Sequence, residues 1–122
     1  MENLSLGEMQ LKFAELIWEN APIESGKLVG LAAERFHWKR PTMYTVLRVL
    51  CQKKLFRNEN GVVIPLLSRE QYYLALSRQT IKEGFGGHLP AFVAAFSSME
   101  KLSEEEIDEL EQLIAKRRSE LK

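Results

Sequence analysis

Cysteine and histidine are scarce in this chain, and no apolar run approaches the roughly 20 residues that span a bilayer. The single cysteine, Cys51, excludes an intrachain disulfide and a multi-cysteine metal cage. His37 and His88 are far apart, and nothing around them has the spacing of a metal site. The first residues lack the basic and then apolar order of a signal peptide. These absences predict a cytoplasmic protein without a metal or other cofactor.

Motifs for catalysis are also missing. The chain contains neither a glycine-rich phosphate loop nor the glycine-flanked serine of a nucleophile elbow. The acidic run Glu104-Glu105-Glu106 fits the solvated start of a helix better than a pair of catalytic carboxylates, because Ser103 stands before it as a capping residue. The sequence therefore predicts a protein that is not an enzyme.

Charge is present in equal amounts of both signs but is unevenly distributed. The formal net charge of the 122 residues is zero. From Arg35 to Arg57 there are seven basic residues and no acidic one, whereas from Glu100 to Glu111 there are seven acidic residues and one basic. The basic segment is compatible with a surface that faces phosphate, and equally with an ordinary solvated helix face.

Apolar periodicity and capping residues predict three short helices in the first half of the chain, at about residues 5–20, 24–36 and 40–54. Ser5 and Glu8 have the spacing of a capping box for the first of them. Trp18 and Trp38 are interpreted as half-buried anchors, and Cys51 as a small buried residue. Proline at position 41 suits the first turn of the third helix.

A hairpin and three further helices are predicted next. Asn58–Gly61 separates two short β-forming segments, and Asn-Gly between such segments is a strong hairpin signal. Pro65 either ends the second strand or confines it to an edge. The later helices are predicted at about residues 68–84, 88–96 and 103–118, with Ser97-Ser98-Met99 as a linker and capping boxes at Ser68 and Ser103.

Three helices followed by a hairpin form the winged helix-turn-helix arrangement. We therefore expect a mainly α protein with a small β-hairpin: a DNA-binding domain over residues 1–70 and a helical dimerisation domain over 71–122. In such readers the third helix enters the major groove of duplex DNA. The side chains on its predicted outer face are Arg40, Thr42, Tyr44, Thr45 and Arg48. Arg57 and Asn60 are the predicted contacts of the wing. The alternative is a winged-helix adaptor that contacts protein only.

The second half of the chain carries apolar residues that need a partner. It is small for an independent core, so a second copy of the chain is expected to cover them, although packing within one chain stays an alternative. The predicted dimerisation residues are Phe92, Val93, Phe96, Ile107, Leu110 and Ile114.

At this point the chain resembles the penicillinase repressor family of winged-helix transcriptional repressors. The resemblance is carried by the first helix to Ile17-Trp18, by Thr42–Leu47, by Gly86–Leu89 with Phe92-Val93, and by Leu102–Ile107 with Leu110. It implies a homodimer that binds a palindromic operator and blocks transcription. It also adds Lys39 to the DNA-facing residues.

The resemblance further implies a route by which the repressor is released from DNA. This chain departs from the family pattern at several positions. Resistance-type members are cut by a sensor protease, and the matching bond here is Ala95–Phe96. Those members have asparagine before the cut, whereas this chain has Ala95, so release by a ligand stays open beside proteolysis. The cysteine-rich motif of the copper-responsive branch is absent. Lys54 stands where glycine often ends the recognition helix.

Overall fold

The structure, a computed structural model, describes residues 3–122. Met1 and Glu2, on which the expectation about a signal peptide partly rests, lie outside them. The described residues form mostly helix with a small sheet, as expected. The elements in chain order are α1 (Glu8–Asn20), β1 (Ile23–Glu24), α2 (Ser25–Phe36), α3 (Arg40–Gln52), β2 (Phe56–Glu59), β3 (Val62–Pro65), α4 (Arg69–Gly84), α5 (Leu89–Met99) and α6 (Glu104–Glu120).

The chain forms two compact units, the first ending at Thr80 and the second beginning at Ile81. The core of the first unit is built from the inward faces of α1, α2 and α3, from the sheet and from the first turns of α4. Its fully buried large side chains are Phe13, Leu16, Ile17, Leu28, Met43, Leu50, Leu55, Phe56, Val63 and Tyr72. The functional boundary predicted between residues 70 and 71 lies inside α4.

Both tryptophans anchor this core from its edge, as predicted. The Trp38 ring lies 5.2 Å from the Phe13 ring, and the Trp18 ring lies 5.3 Å from Phe56. The indole Nε1–H of Trp18 donates to the Leu67 carbonyl at 3.0 Å, so its polar atom is satisfied while its ring packs against apolar groups.

The capping box predicted at Ser5 and Glu8 is wrong. α1 begins at Glu8, and the side chain of Gln10 accepts the Gly7 N–H at 3.0 Å. The Ser5 N–H donates to Asn3 Oδ1 at 2.9 Å instead of bonding to Glu8, and the helix therefore starts later than the pattern predicted. The boxes predicted at Ser68 and Ser103 are both confirmed, each by a pair of reciprocal bonds with the residue three positions on.

Residues 3–6 form an extended N-terminal strap across the first unit. Lys53 Nζ, just after α3, donates to two carbonyls of the strap at 2.6 and 3.3 Å. The Leu4 carbonyl accepts the Tyr72 hydroxyl at 2.6 Å, and the Leu4 N–H donates to Gln79 Oε1 at 2.9 Å. The strap therefore joins the end of α3 to the middle of α4.

The hairpin is confirmed and has a two-residue turn. Asn60 and Gly61 both have positive φ, 53° and 85°, as a type I′ turn requires. The sheet order is β1-β3-β2, so β3 is the central strand and Pro65 ends it rather than confining it to an edge. The two-residue strand β1 was not predicted, and it pairs antiparallel with Val62 and Val63.

The turn between α2 and α3 consists of residues 37–39, with His37 in the left-handed region at φ 60°. The end of α3 is a Schellman motif, since the Lys54 N–H donates to the Cys51 carbonyl and the Leu55 N–H to the Leu50 carbonyl. Leu50 and Leu55 are both fully buried, which is the apolar contact that accompanies this motif. Lys54 itself has φ 64°, where glycine is the residue without strain.

Replacing Lys54 with glycine is expected to raise the free energy of unfolding of the first unit by about 0.5–1 kcal/mol, because the left-handed conformation is strained for lysine. Urea denaturation followed by tryptophan fluorescence measures this unit selectively, since Trp18 and Trp38 both belong to it. The matched control is Gln52→Gly in the last turn of α3, which should lower stability by about 1 kcal/mol. Equal destabilisation by both changes would contradict strain at Lys54.

In the second unit, the linker predicted at Ser97-Ser98-Met99 is wrong, because α5 runs to Met99. The hydroxyls of Ser97 and Ser98 donate back to the carbonyls of Ala94 and Ala95, at 3.3 and 2.7 Å, so these serines are compatible with a helix. α5 and α6 contain no fully buried residue, so both helices keep much of their apolar surface in solvent.

Candidate nucleic-acid interface

One side of α3 is fixed in the core and the opposite side faces solvent. Met43, Leu47 and Leu50 recur at helical spacing and are at most 3% exposed. Lys39, in extended conformation, precedes the helix, and Pro41 stands in its first turn, where a missing N–H costs nothing. Burial of one stripe therefore determines which side chains of α3 are presented outward.

The outward face of α3 holds most of the residues predicted for DNA contact. Exposed on it, or just before it, are Lys39, Arg40, Thr42, Thr45 and Arg48. Arg48 follows Tyr44 and Thr45 by one turn and so shares their face. The Thr45 hydroxyl donates to the Pro41 carbonyl at 2.9 Å, which uses its proton within the helix and leaves its oxygen free to accept.

Tyr44 is half-buried, and its hydroxyl is already engaged within the protein. It hydrogen-bonds the Ser25 hydroxyl at 3.1 Å, and its ring lies 6.0 Å below the Arg40 guanidinium. Ser25 also donates its backbone N–H to the Gly61 carbonyl at 2.8 Å. Ser25 therefore joins three elements, α2, α3 and the hairpin turn. Nothing in the sequence signals this role, because each partner is remote in the chain.

The Tyr44–Ser25 bond is testable by a double-mutant cycle. Tyr44→Phe and Ser25→Ala should each lower the free energy of unfolding by about 1 kcal/mol, and the double variant should cost no more than either one, since one shared hydrogen bond is lost. Tryptophan fluorescence in urea measures all three. If Tyr44→Phe instead weakens DNA binding while Ser25→Ala does not, the tyrosine hydroxyl contacts DNA rather than α2.

The two predicted wing residues have different surroundings. Asn60 lies in the hairpin turn and is exposed. Arg57 forms an ion pair with Glu59 at 2.8 Å, and both side chains are 56% exposed. The Asn58 side chain accepts the Gly61 N–H at 3.1 Å and thereby stiffens the turn.

Three of the seven basic residues counted in the segment 35–57 are engaged by other groups of the protein. Arg35 lies 4.0 Å from Glu19, Lys53 binds the N-terminal strap, and Arg57 pairs with Glu59. Within residues 3–122, the other four have no carboxylate within 4.0 Å; they are Lys39, Arg40, Arg48 and Lys54. Within this segment, the cations without a carboxylate partner thus lie in α3 or within two residues of its ends.

The second unit presents an apolar groove of about 590 Å³ between α5 and α6. It is lined by Phe92, Val93, Phe96, Leu102, Glu106, Glu109, Leu110 and Leu113. Four of the six predicted dimerisation residues are in this lining. Ile107 and Ile114 are exposed on α6 outside it. Leu102 and Leu113 are lining residues that were not predicted.

The bond between Ala95 and Phe96 lies inside α5. Both side chains are exposed, Phe96 by 48%, but the backbone around them is helical. A protease that binds extended backbone would have to unwind this part of α5 before cutting there.

Other chemistry is limited in the part of the chain that the structure describes. Cys51 is half-buried, and burial raises the pKa of its thiol, which a backbone hydrogen bond from Asn58 only partly offsets. The thiol is thus a weak nucleophile at neutral pH. Among residues 3–122, no three His, Cys, Asp or Glu side chains lie close enough together to hold a metal ion. No described helix combines the length and apolar character needed to cross a membrane.

Three helices, a hairpin and an exposed cationic third helix define the first unit as a winged helix. Comparison with known proteins specifies this further. The sequence model of the penicillinase repressor family matches residues 6–116. A curated relative, the penicillinase repressor of Bacillus licheniformis, is 25% identical over 113 residues, which are 89% of this chain and 88% of the relative. The chain therefore belongs to the penicillinase repressor family, and membership supports a role in transcriptional repression.

Proposed function

We propose that this protein is a homodimeric transcriptional repressor that binds a palindromic operator in duplex DNA. The observation that carries the proposal is the outward face of α3, where three unpaired cations surround side chains suited to base edges. Family membership supports both DNA binding and oligomerisation.

The proposed roles on α3 follow from side-chain chemistry. The planar fork of donors on Arg48 suits two parallel hydrogen bonds to a guanine in the major groove. Lys39 and Arg40, at the start of the helix, neutralise phosphates. Thr42 and Thr45 contact base edges or thymine methyl groups, and Thr45 does so as an acceptor because its own proton is used within the helix. Tyr44 contributes chiefly by holding α3 against α2.

The apolar groove of the second unit is the proposed dimer contact. A monomer that left this surface in water would expose several large apolar side chains, among them Phe96 and Leu113, each at least 47% exposed. Two copies that bury their grooves together produce the twofold symmetry that a palindromic operator requires. We accordingly propose DNA binding for residues 1–70 and dimerisation for 71–122.

Repression by this mechanism is passive, because a dimer bound at a promoter excludes other proteins from the same DNA. We propose that the protein acts in the cytoplasm and needs no cofactor. Two routes of release remain proposals. One is cutting at Ala95–Phe96 by a sensor protease, which must first unwind α5, and the other is a ligand that weakens the dimer.

Titration of the protein's own promoter fragment, followed by fluorescence anisotropy, tests the proposal. The affinity should fall steeply with salt, since each neutralised phosphate contributes about −0.9 to the log–log slope. A scrambled fragment of equal length is the control and should bind more weakly. If neither fragment is bound at low ionic strength, the function as a DNA-binding repressor is excluded, and a winged-helix adaptor that contacts only protein replaces it.

A further inference from the structure

The outer face of the three-stranded sheet carries more negative than positive charge. The strand register places Glu59 beside Val62 and Val62 beside Glu24, so the three side chains form one row across the sheet. Arg57 precedes Glu59 by two residues and therefore shares its face. This face thus presents two carboxylates and one guanidinium, although two of its three strands form the wing that was expected to approach phosphate.

The Arg57 guanidinium is not free on this face. It donates a charge-assisted hydrogen bond to Glu59 at 2.8 Å, and the two residues lie on the same strand with a fixed spacing. A phosphate that approached Arg57 would compete with this carboxylate and would be repelled by it. An arginine so engaged adds little to the counterion release that drives binding to DNA.

We propose that Glu59 is a positioning residue that withholds Arg57 from the phosphate backbone and so limits the affinity of the wing for DNA. The proposal rests on the DNA-binding function proposed above. Its consequence is that α3 supplies most of the phosphate contacts of the first unit, through Lys39 and Arg40. The hairpin then restrains affinity rather than adding to it.

The test is the Glu59→Gln variant, titrated with a scrambled duplex over a range of salt concentrations. Releasing Arg57 should add about 0.9 per protomer to the steepness of the log–log salt dependence, and each released arginine should tighten binding roughly fivefold to tenfold at about 0.1 M salt. Arg57→Gln alone should change the affinity less than about twofold, because Arg57 is withheld in the parent protein.

Glu24→Gln is the matched control. It removes the same charge from the same row, and the Glu24 side chain forms no cap hydrogen bond at the start of α2, so the Arg57–Glu59 pair stays intact. We expect this variant to leave the salt slope unchanged. The double variant Glu59→Gln with Arg57→Gln should lose the gain in affinity and in salt slope that Glu59→Gln alone produces. Urea denaturation confirms that all variants are folded.

Three results would overturn the inference while leaving the proposed function in place. They are an equal effect of Glu24→Gln and Glu59→Gln, a gain that persists without Arg57, and a loss of affinity and slope in Arg57→Gln alone. A parent protein that binds no duplex at any salt concentration would overturn the proposed function itself, and the inference with it. Whether the parent protein binds duplex therefore distinguishes a failure of the inference from a failure of the proposed function.

Discussion

Replacing Phe96 with aspartate is expected to convert the protein into a monomer and to weaken operator binding by about 100-fold or more. Phe96 lines the apolar groove and is 48% exposed, so about half of its surface is available to a second protomer. A carboxylate buried between two protomers has no partner and is strongly unfavourable. Loss of the dimer removes the avidity of two linked half-site contacts, which is commonly worth a factor of about 10² to 10⁴.

Sedimentation equilibrium measures the oligomeric state, and anisotropy titration measures the affinity for the operator. The matched control is Ala94→Asp, which places the same charge on an exposed position of α5 that does not line the groove. Circular dichroism should show equal helix content in both variants. A Phe96→Asp protein that stays dimeric would contradict the proposed contact, and dimerisation would then have to involve another surface.

Arg48→Ala should weaken binding to the operator by about 1–3 kcal/mol, which corresponds to a loss of roughly fivefold to 150-fold. The effect is large because Arg48 lies on the outward face of α3 without a carboxylate partner in the described chain, so its fork of donors is available to a guanine. Binding to a scrambled duplex should fall much less, since Arg48 makes at most part of its base contact with that duplex and has less to lose.

Two further variants separate base contact from charge. Arg48→Lys keeps the charge but lacks the planar fork, so it should recover little of the discrimination between operator and scrambled duplex. Arg78→Ala removes the same charge from an exposed position on α4 and should leave that discrimination unchanged. If Arg48→Ala weakens both duplexes equally, Arg48 contacts phosphate and another side chain on α3 carries the specificity.

Features that depend on neighbouring residues could be predicted from the sequence. The confirmed capping boxes at Ser68 and Ser103 close over three residues, and the Asn60-Gly61 turn requires only two positive φ angles. The third helix was also predicted with nearly correct ends, because its buried stripe of Met43, Leu47 and Leu50 repeats with helical period. In each case the physical cause lies within one turn of the chain.

Features that depend on remote partners could not be predicted. β1 has only two residues, and it exists because Val62 and Val63 are close in space. The late start of α1 and the serines inside α5 have a different origin, since their bonds are local and serine is compatible with a cap, a loop or a helix. In the candidate site, helical periodicity predicted which side chains of α3 face outward. The Tyr44–Ser25 hydrogen bond could not be predicted, because it depends on tertiary packing.

The N-terminal strap has a practical consequence for how these experiments are set up. Its carbonyl groups accept hydrogen bonds from Lys53, which follows α3, and from the hydroxyl of Tyr72 in α4. A fluorophore or purification tag attached next to the strap would therefore disturb the helix α3, whose binding to DNA is measured. The opposite end of the described chain is a better attachment point, because Leu121 is 86% exposed and lies beyond the last helical residue, Glu120. A label placed there leaves the hydrogen bonds of the strap unmodified.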